Sequence, residues 1–187
     1  LSAISKAQPE SLILVPELLL MLVNACSNGW QPPRSLQFIA VGGAHVPAGL
    51  ITKAREAGLP VYQGYGLSEC VSVNTLNLPG AENPDSVGRS LGHNTLTIEN
   101  GELVASGTIF LGYLNQPQSF YPTVVKTGDL VSEEDGYYYV AGRRKNLIII
   151  SLGRNISPEW IESLLLAGGL FSQVLVVGEA RSHCAAL

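Results

Sequence analysis

The sequence predicts an α/β segment followed by a smaller β segment, α/β plus β in all, and three observations carry the prediction. Up to Pro79, short apolar runs alternate with helix-length segments, and glycine turns stand between them. That order is the grammar of βαβ units. After Pro79 glycines become frequent and the apolar runs shorten into hairpin-like pairs. Composition supplies the third: 46% of the 187 residues are hydrophobic and only 14% are charged, well under the usual share. A deeply buried sheet explains so little charge, and so does a piece cut from a larger molecule.

Residues 11–15 are an apolar run that reads as a buried strand. Pro16 opens a helix, where its missing N–H costs nothing, and Glu17 in the first turn favours the dipole. The helix fades at Asn28-Gly29. Residues 36–41 form the next buried strand, ending in Gly42-Gly43. Residues 47–57 read as a helix closed by Gly58, and 59–63 as a third strand ending in Gly64-Tyr65-Gly66. Such sheets bind ligands at the carboxyl ends of their strands. Both glycine segments are therefore expected at the rim of a site.

Residues 95–98 and 102–105 flank Glu99-Asn100-Gly101, a hairpin with a favoured turn pair. Residues 124–131 and 136–141 flank Ser132-Glu133-Glu134-Asp135, a second hairpin. The stretch 86–141 thus reads as a small antiparallel β unit, a distorted barrel. Residues 143–150 are apolar and β-branched after a basic start. Ser157 as cap and Pro158 at the first position start a helix, and 174–177 is a final strand. The expected domains are 1–85, 86–144 and 145–187.

Several function classes are disfavoured. A net charge of −4 and a pI near 5.3 argue against a nucleic-acid surface. Three cysteines (Cys26, Cys70, Cys184) and three histidines (His45, His93, His183) show no metal-ligand spacing. The odd cysteine count fits a reduced, cytoplasmic setting. The apolar stretch 12–23 is too short to span a bilayer and is interrupted by Pro16 and Glu17, and no signal-peptide pattern is visible. No transmembrane segment is expected.

Four segments carry chemistry. Gly42-Gly43-Ala44 directly follows a strand, where small residues let a flat ring or a phosphate approach the backbone; a tight βα turn explains them equally. In Tyr65-Gly66-Leu67-Ser68-Glu69, Tyr65 offers an aromatic face, Ser68 a hydroxyl and Glu69 a carboxylate for a hard cation such as Mg²⁺. A strand end with Ser68 capping a helix is the structural alternative. Asp129, after Lys126-Thr127-Gly128, could accept two ribose hydroxyls as acidic residues do in dinucleotide folds, or be a plain hairpin aspartate. Arg143, after Gly142, could pair with that ribose or a phosphate, or belong to a solvated basic patch. Val71, Val73 and Leu76 could wall a hydrophobic acid or simply be core.

Together, in this order and over nearly the whole chain, these segments resemble the acyl-adenylate-forming (AMP-binding) enzymes, and most of all acyl-CoA synthetases. The family's Tyr-Gly-x-Thr-Glu segment matches residues 65–69, with serine for threonine. Its ribose Thr-Gly-Asp triplet matches Thr127-Gly128-Asp129. Its Gly-Arg-x-Lys hinge and the Ile-x-Pro-x-x-Ile-Glu beyond match Gly142-Arg143-Arg144-Lys145, Gly153, Ile156, Pro158, Ile161 and Glu162. Residues 101–103 and 112–115 resemble the connecting segment between.

The resemblance implies ATP-dependent activation of a carboxylic acid, fatty or otherwise apolar, to acyl-AMP, then thioester formation with CoA. A carrier protein is the alternative acceptor, and a degenerate nucleotide-binding relative the alternative outside catalysis. By the same resemblance Gly43 and Ala44 line the adenine site and Tyr65, beside Gly66, stacks on the base. Ser68 touches phosphate and Glu69 holds Mg²⁺. Asp129 and Arg143 hold the ribose. Lys145 is the hinge of a small α+β C-terminal lid, Gly64 borders the acyl pocket, and Ser151 and Gly153 line the pantetheine tunnel.

Some features depart from the pattern. The family's phosphate-binding loop, a Ser/Thr/Gly-rich run ending in Pro-Lys, has no counterpart; Ser106-Gly107-Thr108 lacks the Pro-Lys. The family's C-terminal catalytic lysine would lie beyond Leu187. The chain also opens on Leu1 and stops in mid-pattern. The expectation is an excised fragment of an enzyme at least roughly twofold longer, inactive alone, since phosphoryl transfer relies on cationic clamps. Smaller departures are Leu152, where many relatives carry glycine, and His45, where proline is more common.

Overall fold

The computed structural model describes residues 1–151, 153–168 and 170–187; the departure at Leu152 lies outside them. A short helix α1 (Ser2–Ala7) precedes β1 (Ser11–Leu14), α2 (Pro16–Ser27), β2 (Phe38–Val41), α3 (Ala48–Glu56) and β3 (Val61–Tyr65). Strands β1, β2 and β3 pair in parallel, so the expected βαβ units are present. Pro16 stands at the start of α2 with Glu17 in the first turn, where neither interrupts the hydrogen-bond ladder. One apolar cluster joins helices to sheet: Leu19, Ile39, Ala54 and Val61 are each 0% exposed.

After β3 the chain reverses. Two-residue strands β4 (Thr75–Leu76) and β5 (Arg89–Ser90) extend the sheet antiparallel in the order β1-β2-β3-β4-β5. Next come β6 (Asn94–Glu99), β7 (Glu102–Gly107), β8 (Val125–Glu134) and β9 (Tyr137–Arg143), an antiparallel sheet in sequence order. Between β6 and β7 the turn is Asn100-Gly101, with φ 51° and 77°, the left-handed pair that a two-residue hairpin requires.

The expected barrel is not formed: among the described residues no sheet closes. The outer edge of β9 is met by the preceding loop, through Val87 N–H to Tyr138 O (2.8 Å) and Tyr138 N–H to Gly88 O (3.0 Å), so it does not return to β6. Four strands are also too few to close round filled side chains. The second hairpin turn is Asp135-Gly136, φ 53° and 80°, not the four residues 132–135, because β8 runs on to Glu134. Along β8 and β9 the pairing holds one register from Glu134↔Tyr137 to Val131↔Val140. It then slips by one residue to Leu130↔Gly142 and Asp129↔Arg143.

The last part holds two small ladders. β10 (Ile148–Ile149) pairs with β11 (Asn155–Ile156), and β12 (Val176–Val177) with β13 (Ala185–Ala186). Between them lies α4 (Pro158–Ala167). Its N-cap position is Ser157, as expected, but the Ser157 hydroxyl makes no capping bond; it donates to Glu159 Oε2 at 3.0 Å. The strand expected over 174–177 is shorter than its apolar run, pairing only at Val176–Val177. Among the described residues no helix is long and apolar enough to cross a membrane.

Candidate active site

A cleft opens where the parallel strands end. After β2 and after β3 the chain turns on glycine, and close packing explains why. A Cβ on Gly42 would meet the Gly64 carbonyl oxygen at 2.8 Å, and one on Gly66 would lie 1.6 Å from the Ser72 carbonyl oxygen. Only glycine lets the backbone pass there. The cleft has a volume of about 640 Å³, and Gly43, Ala44, Gly64, Tyr65, Gly66, Asp129 and Arg143 all line it. Residues expected from three distant parts of the sequence thus share one surface.

Asp129 is its most constrained group. Alternation along β8 puts Val125, Thr127, Asp129 and Val131 on the buried face, and Asp129 is only 7% exposed. A carboxylate so placed needs partners. Oδ2 accepts from the Tyr65 hydroxyl at 2.6 Å and Oδ1 from Arg143 Nε at 3.1 Å. The Asp129 N–H donates to Thr127 Oγ1 at 3.1 Å, and the Thr127 hydroxyl donates to Leu103 O at 2.9 Å. Gly128 N–H donates to Glu102 Oε1 at 2.9 Å, and Arg144 pairs with Glu102 Oε2 at 3.5 Å.

Burial, and then the bond to Asp129, pushes the Tyr65 hydroxyl far above the ordinary tyrosine range, so it is a donor at neutral pH. The bond to Asp129 likewise raises Arg143. A carboxylate has about four acceptor positions. With two used, Asp129 retains capacity for a pair of ligand hydroxyls. The Tyr65 hydroxyl is committed to Asp129, which leaves the ring face as the part it can offer a flat ligand.

Other expected residues stand apart. Ser68 and Glu69 lie on a single 3-10 turn, Ser68–Cys70, and not at the start of an α-helix; Leu67 holds the N-cap position and Ser68 makes no capping bond. The turn falls outside the cleft lining, as do Lys145, Ser151 and Gly153. Lys145 is exposed in the loop after β9, and Ser151 and Gly153 are exposed between β10 and β11. Val71, Val73 and Leu76 do not line the cleft either, and Val71 is 57% exposed.

Glu69 Oε1 accepts from the Tyr113 hydroxyl at 2.8 Å, and Phe110 N–H donates to the Glu69 carbonyl at 2.8 Å. Among the described residues no group of three or more His, Cys, Asp or Glu could hold a metal ion. Mg²⁺ carried by phosphates takes one or two carboxylates and keeps much of its water. Glu69, half-buried on its turn, fits such a role as a single protein ligand.

Sequence reasoning missed several contributors. Glu102, at the head of β7, fixes the Gly128 backbone beside Asp129, and the Thr127 hydroxyl, quoted above only as part of its triplet, holds the Asp129 N–H; an acidic residue directly after the hairpin glycine was the available signal for Glu102. Tyr113 lies in the 112–115 segment noted above, but nothing in the sequence pointed to its bond with Glu69, 44 residues away. Trp160 also lines the cleft and is 54% exposed; an aromatic residue just inside a capped helix start was its signal. Asn146 Nδ2 donates to Glu159 Oε1, tying the loop after β9 to α4.

A parallel βαβ sheet with a cleft at its carboxyl edge defines a ligand-binding α/β protein. The chain belongs to the AMP-binding enzyme family, whose family model matches residues 1–114. It is 38% identical over 153 residues to the long-chain-fatty-acid–CoA ligase FadD15 of Mycobacterium bovis, covering 78% of this chain and 26% of that protein. It is 35% identical over 177 residues to the 2-succinylbenzoate–CoA ligase of Lactococcus lactis subsp. lactis, covering 88% of this chain and 37% of that one. The O-succinylbenzoate CoA synthetase of Bacillus subtilis, solved in complex with ATP and magnesium ion, aligns with a TM-score of 0.81 at 29% identity. That alignment covers 99% of this chain and 42% of that one. The chain therefore spans between about a quarter and two fifths of these relatives' lengths. Each relative is named as a CoA ligase or synthetase, and none for a carrier protein.

Proposed function

We propose that the chain forms the nucleotide-binding part of an AMP-forming acid–thiol ligase, which activates a carboxylic acid with ATP and passes the acyl group to CoA. The observation that carries the reading is Asp129, buried at the cleft between the Tyr65 hydroxyl and the Arg143 guanidinium with acceptor capacity to spare. Such a group suits a ribose diol. The two glycine turns beside it leave room for a base against Gly43, Ala44 and Gly66, with the Tyr65 ring as stacking face.

In this reading the acid's carboxylate oxygen attacks the α-phosphorus of ATP. The bond to the bridging oxygen breaks and pyrophosphate leaves with the electron pair. Asp129 and Arg143 hold the ribose so that the α-phosphorus stays in line, which supplies catalysis by proximity. Ser68 donates to a phosphate oxygen. Mg²⁺, when bound at Glu69, neutralises phosphate charge. The CoA sulfur, its proton lost to solvent, then attacks the acyl carbon and AMP leaves. Lys145 marks the hinge about which the part from 145 onward turns between the half-reactions, bringing Ser151 and Gly153 to the thiol.

The acid is read as fatty or otherwise apolar. Gly64 would border it, kept as glycine by close packing: a Cβ there would meet Leu76 Cδ1 at 2.8 Å and the Thr75 carbonyl oxygen at 2.9 Å. ATP–pyrophosphate exchange on the protein at its natural length, across short, long and aromatic acids including 2-succinylbenzoate, tests the reading. Exchange with an apolar acid supports it, and exchange with 2-succinylbenzoate alone overturns the apolar assignment. A folded protein that binds AMP but exchanges with no acid would be a nucleotide-binding relative without catalysis.

A further inference from the structure

Beneath the turn that carries Glu69 lies a pair of buried amides with no part in the chemistry above. Asn74 is 0% exposed and Asn94 6%. Asn94 Nδ2 donates to Asn74 Oδ1 at 2.7 Å and to the Cys70 carbonyl at 3.4 Å. Among the described residues, Asn74 Nδ2 and Asn94 Oδ1 are buried without a hydrogen-bond partner. The neighbouring cluster of Cys70, Ala105 and Val125 is apolar. Half-satisfied amides in such a place are unfavourable, and aliphatic side chains would fill the space without orphaned atoms.

The turn above explains what the pair accomplishes. Val71 and Ser72 sit at φ 57° and 86°, a left-handed conformation that side chains resist, a β-branched one most. It persists only where the surroundings over-determine it. From within, Cys70 N–H and Ser72 N–H both reach back to Leu67 O, at 3.0 Å and 3.2 Å. From below, Asn94 meets the Cys70 carbonyl, and the Asn74 backbone N–H donates to Tyr65 O at 2.8 Å.

We infer that Asn74 and Asn94 are positioning residues for Glu69: the amide pair holds the Cys70 carbonyl, and with it the strained Val71-Ser72 turn, and so sets where the Glu69 carboxylate meets a phosphate-borne cation. This rests on the role proposed above for Glu69. The pair ties that role to β6, through Asn94, and to the bend just before β4, through Asn74.

The test is Asn94→Leu, which keeps the volume and removes the donor. The double variant Asn74→Leu/Asn94→Leu, free of orphaned polar atoms, stands in if the single one does not fold. Two readouts are made on the protein at its natural length: Mg²⁺ dependence of ATP binding by calorimetry, and hydrogen exchange at the Val71 and Ser72 amides. The expected result is about a tenfold rise in half-saturating Mg²⁺, as when a ligand's supporting partner is lost. Faster exchange at both amides and unchanged metal-free AMP affinity accompany it. Unchanged Mg²⁺ dependence, with or without a lower melting temperature, overturns the inference and leaves the pair a packing feature. Glu69→Gln separates this from the reading beneath it. If that variant also keeps normal Mg²⁺ dependence, the role of Glu69 itself is wrong; if it alone loses it, only the positioning role is.

Discussion

The Tyr65 hydroxyl donates to Asp129 Oδ2 at 2.6 Å across 64 positions of sequence. One residue ends the last parallel strand and the other lies on the third strand of the antiparallel sheet, so this contact joins the two sheets at the cleft. With Arg143 on the other oxygen, both ends of the carboxylate are held before any ligand arrives.

Asp129→Ala removes the acceptor that both neighbours share. The fold should persist, since Arg143 is largely solvent-exposed. Acyl-AMP formation should fall at least about a hundredfold, the scale of one or two lost charge-assisted hydrogen bonds. Single-turnover formation of acyl-AMP and AMP titration measure it. Unchanged nucleotide affinity would sink the ribose assignment.

Tyr65 predicts an alkaline effect. Its folded pKa is raised, by burial first and then by Asp129, so the folded state holds that proton more tightly. Its contribution to stability is complete below the ordinary tyrosine pKa of about 10. It is lost as pH climbs from there through the folded value. Tyr65 should be the last of the tyrosines to ionise in a tyrosinate absorbance titration, and Tyr65→Phe should flatten the alkaline decline of the melting temperature. A variant curve that overlays the parent would refute the burial argument.

Glycine positions separate sharply. Gly66→Ala puts a Cβ 1.6 Å from a backbone oxygen, and something in the Glu69 turn must move. A cost of about 3 kcal/mol or more is expected in urea unfolding. Gly49→Ala lies in α3 with nothing within 4 Å, and should stabilise by about 0.5 kcal/mol. Equal effects at the two sites would mean that close approach is not what selects Gly66.

Lys145→Pro bears on the hinge. Proline fixes its own φ and restricts the residue before it, here Arg144, whose N–H donates to Gly128 O at 2.8 Å. If rotation happens here, thioester formation should slow about tenfold or more while pyrophosphate exchange changes little. Equal losses in both half-reactions would point to a general defect instead.

The βαβ half was legible because its signals are local. Pro16, Gly58 and the apolar runs before Gly42 and Gly64 each act within one element. Hairpin existence was legible from Asn100-Gly101, and Asp135-Gly136 carries the same signal, though the second turn was placed over too many residues. Of the two-residue strands only β12 was legible, from the apolar run 174–177; β4, β5, β10, β11 and β13 were not, since so short a ladder has no period to detect. The barrel failed for a similar reason: where the edge of β9 goes is decided by Val87 and Gly88, far away in sequence. Motif order pointed to Tyr65, Asp129 and Arg143 as one group, but the commitment of the Tyr65 hydroxyl to Asp129 is tertiary. So is the grip of Tyr113 on Glu69.

The one-residue slip between β8 and β9 decides who stands beside Asp129. If the register set at Glu134↔Tyr137 and Val131↔Val140 continued unbroken, Asp129 would face Gly142, which has no side chain. Arg143 would then point to the other surface of the sheet. The extra residue shifts the frame by one and brings the guanidinium alongside the carboxylate. The ion pair is therefore governed by the length of a strand as much as by the identities of its two residues. Were Leu130 to pair with Ala141 in place of Gly142, every charged group would still be in the chain and the pair would be dissolved.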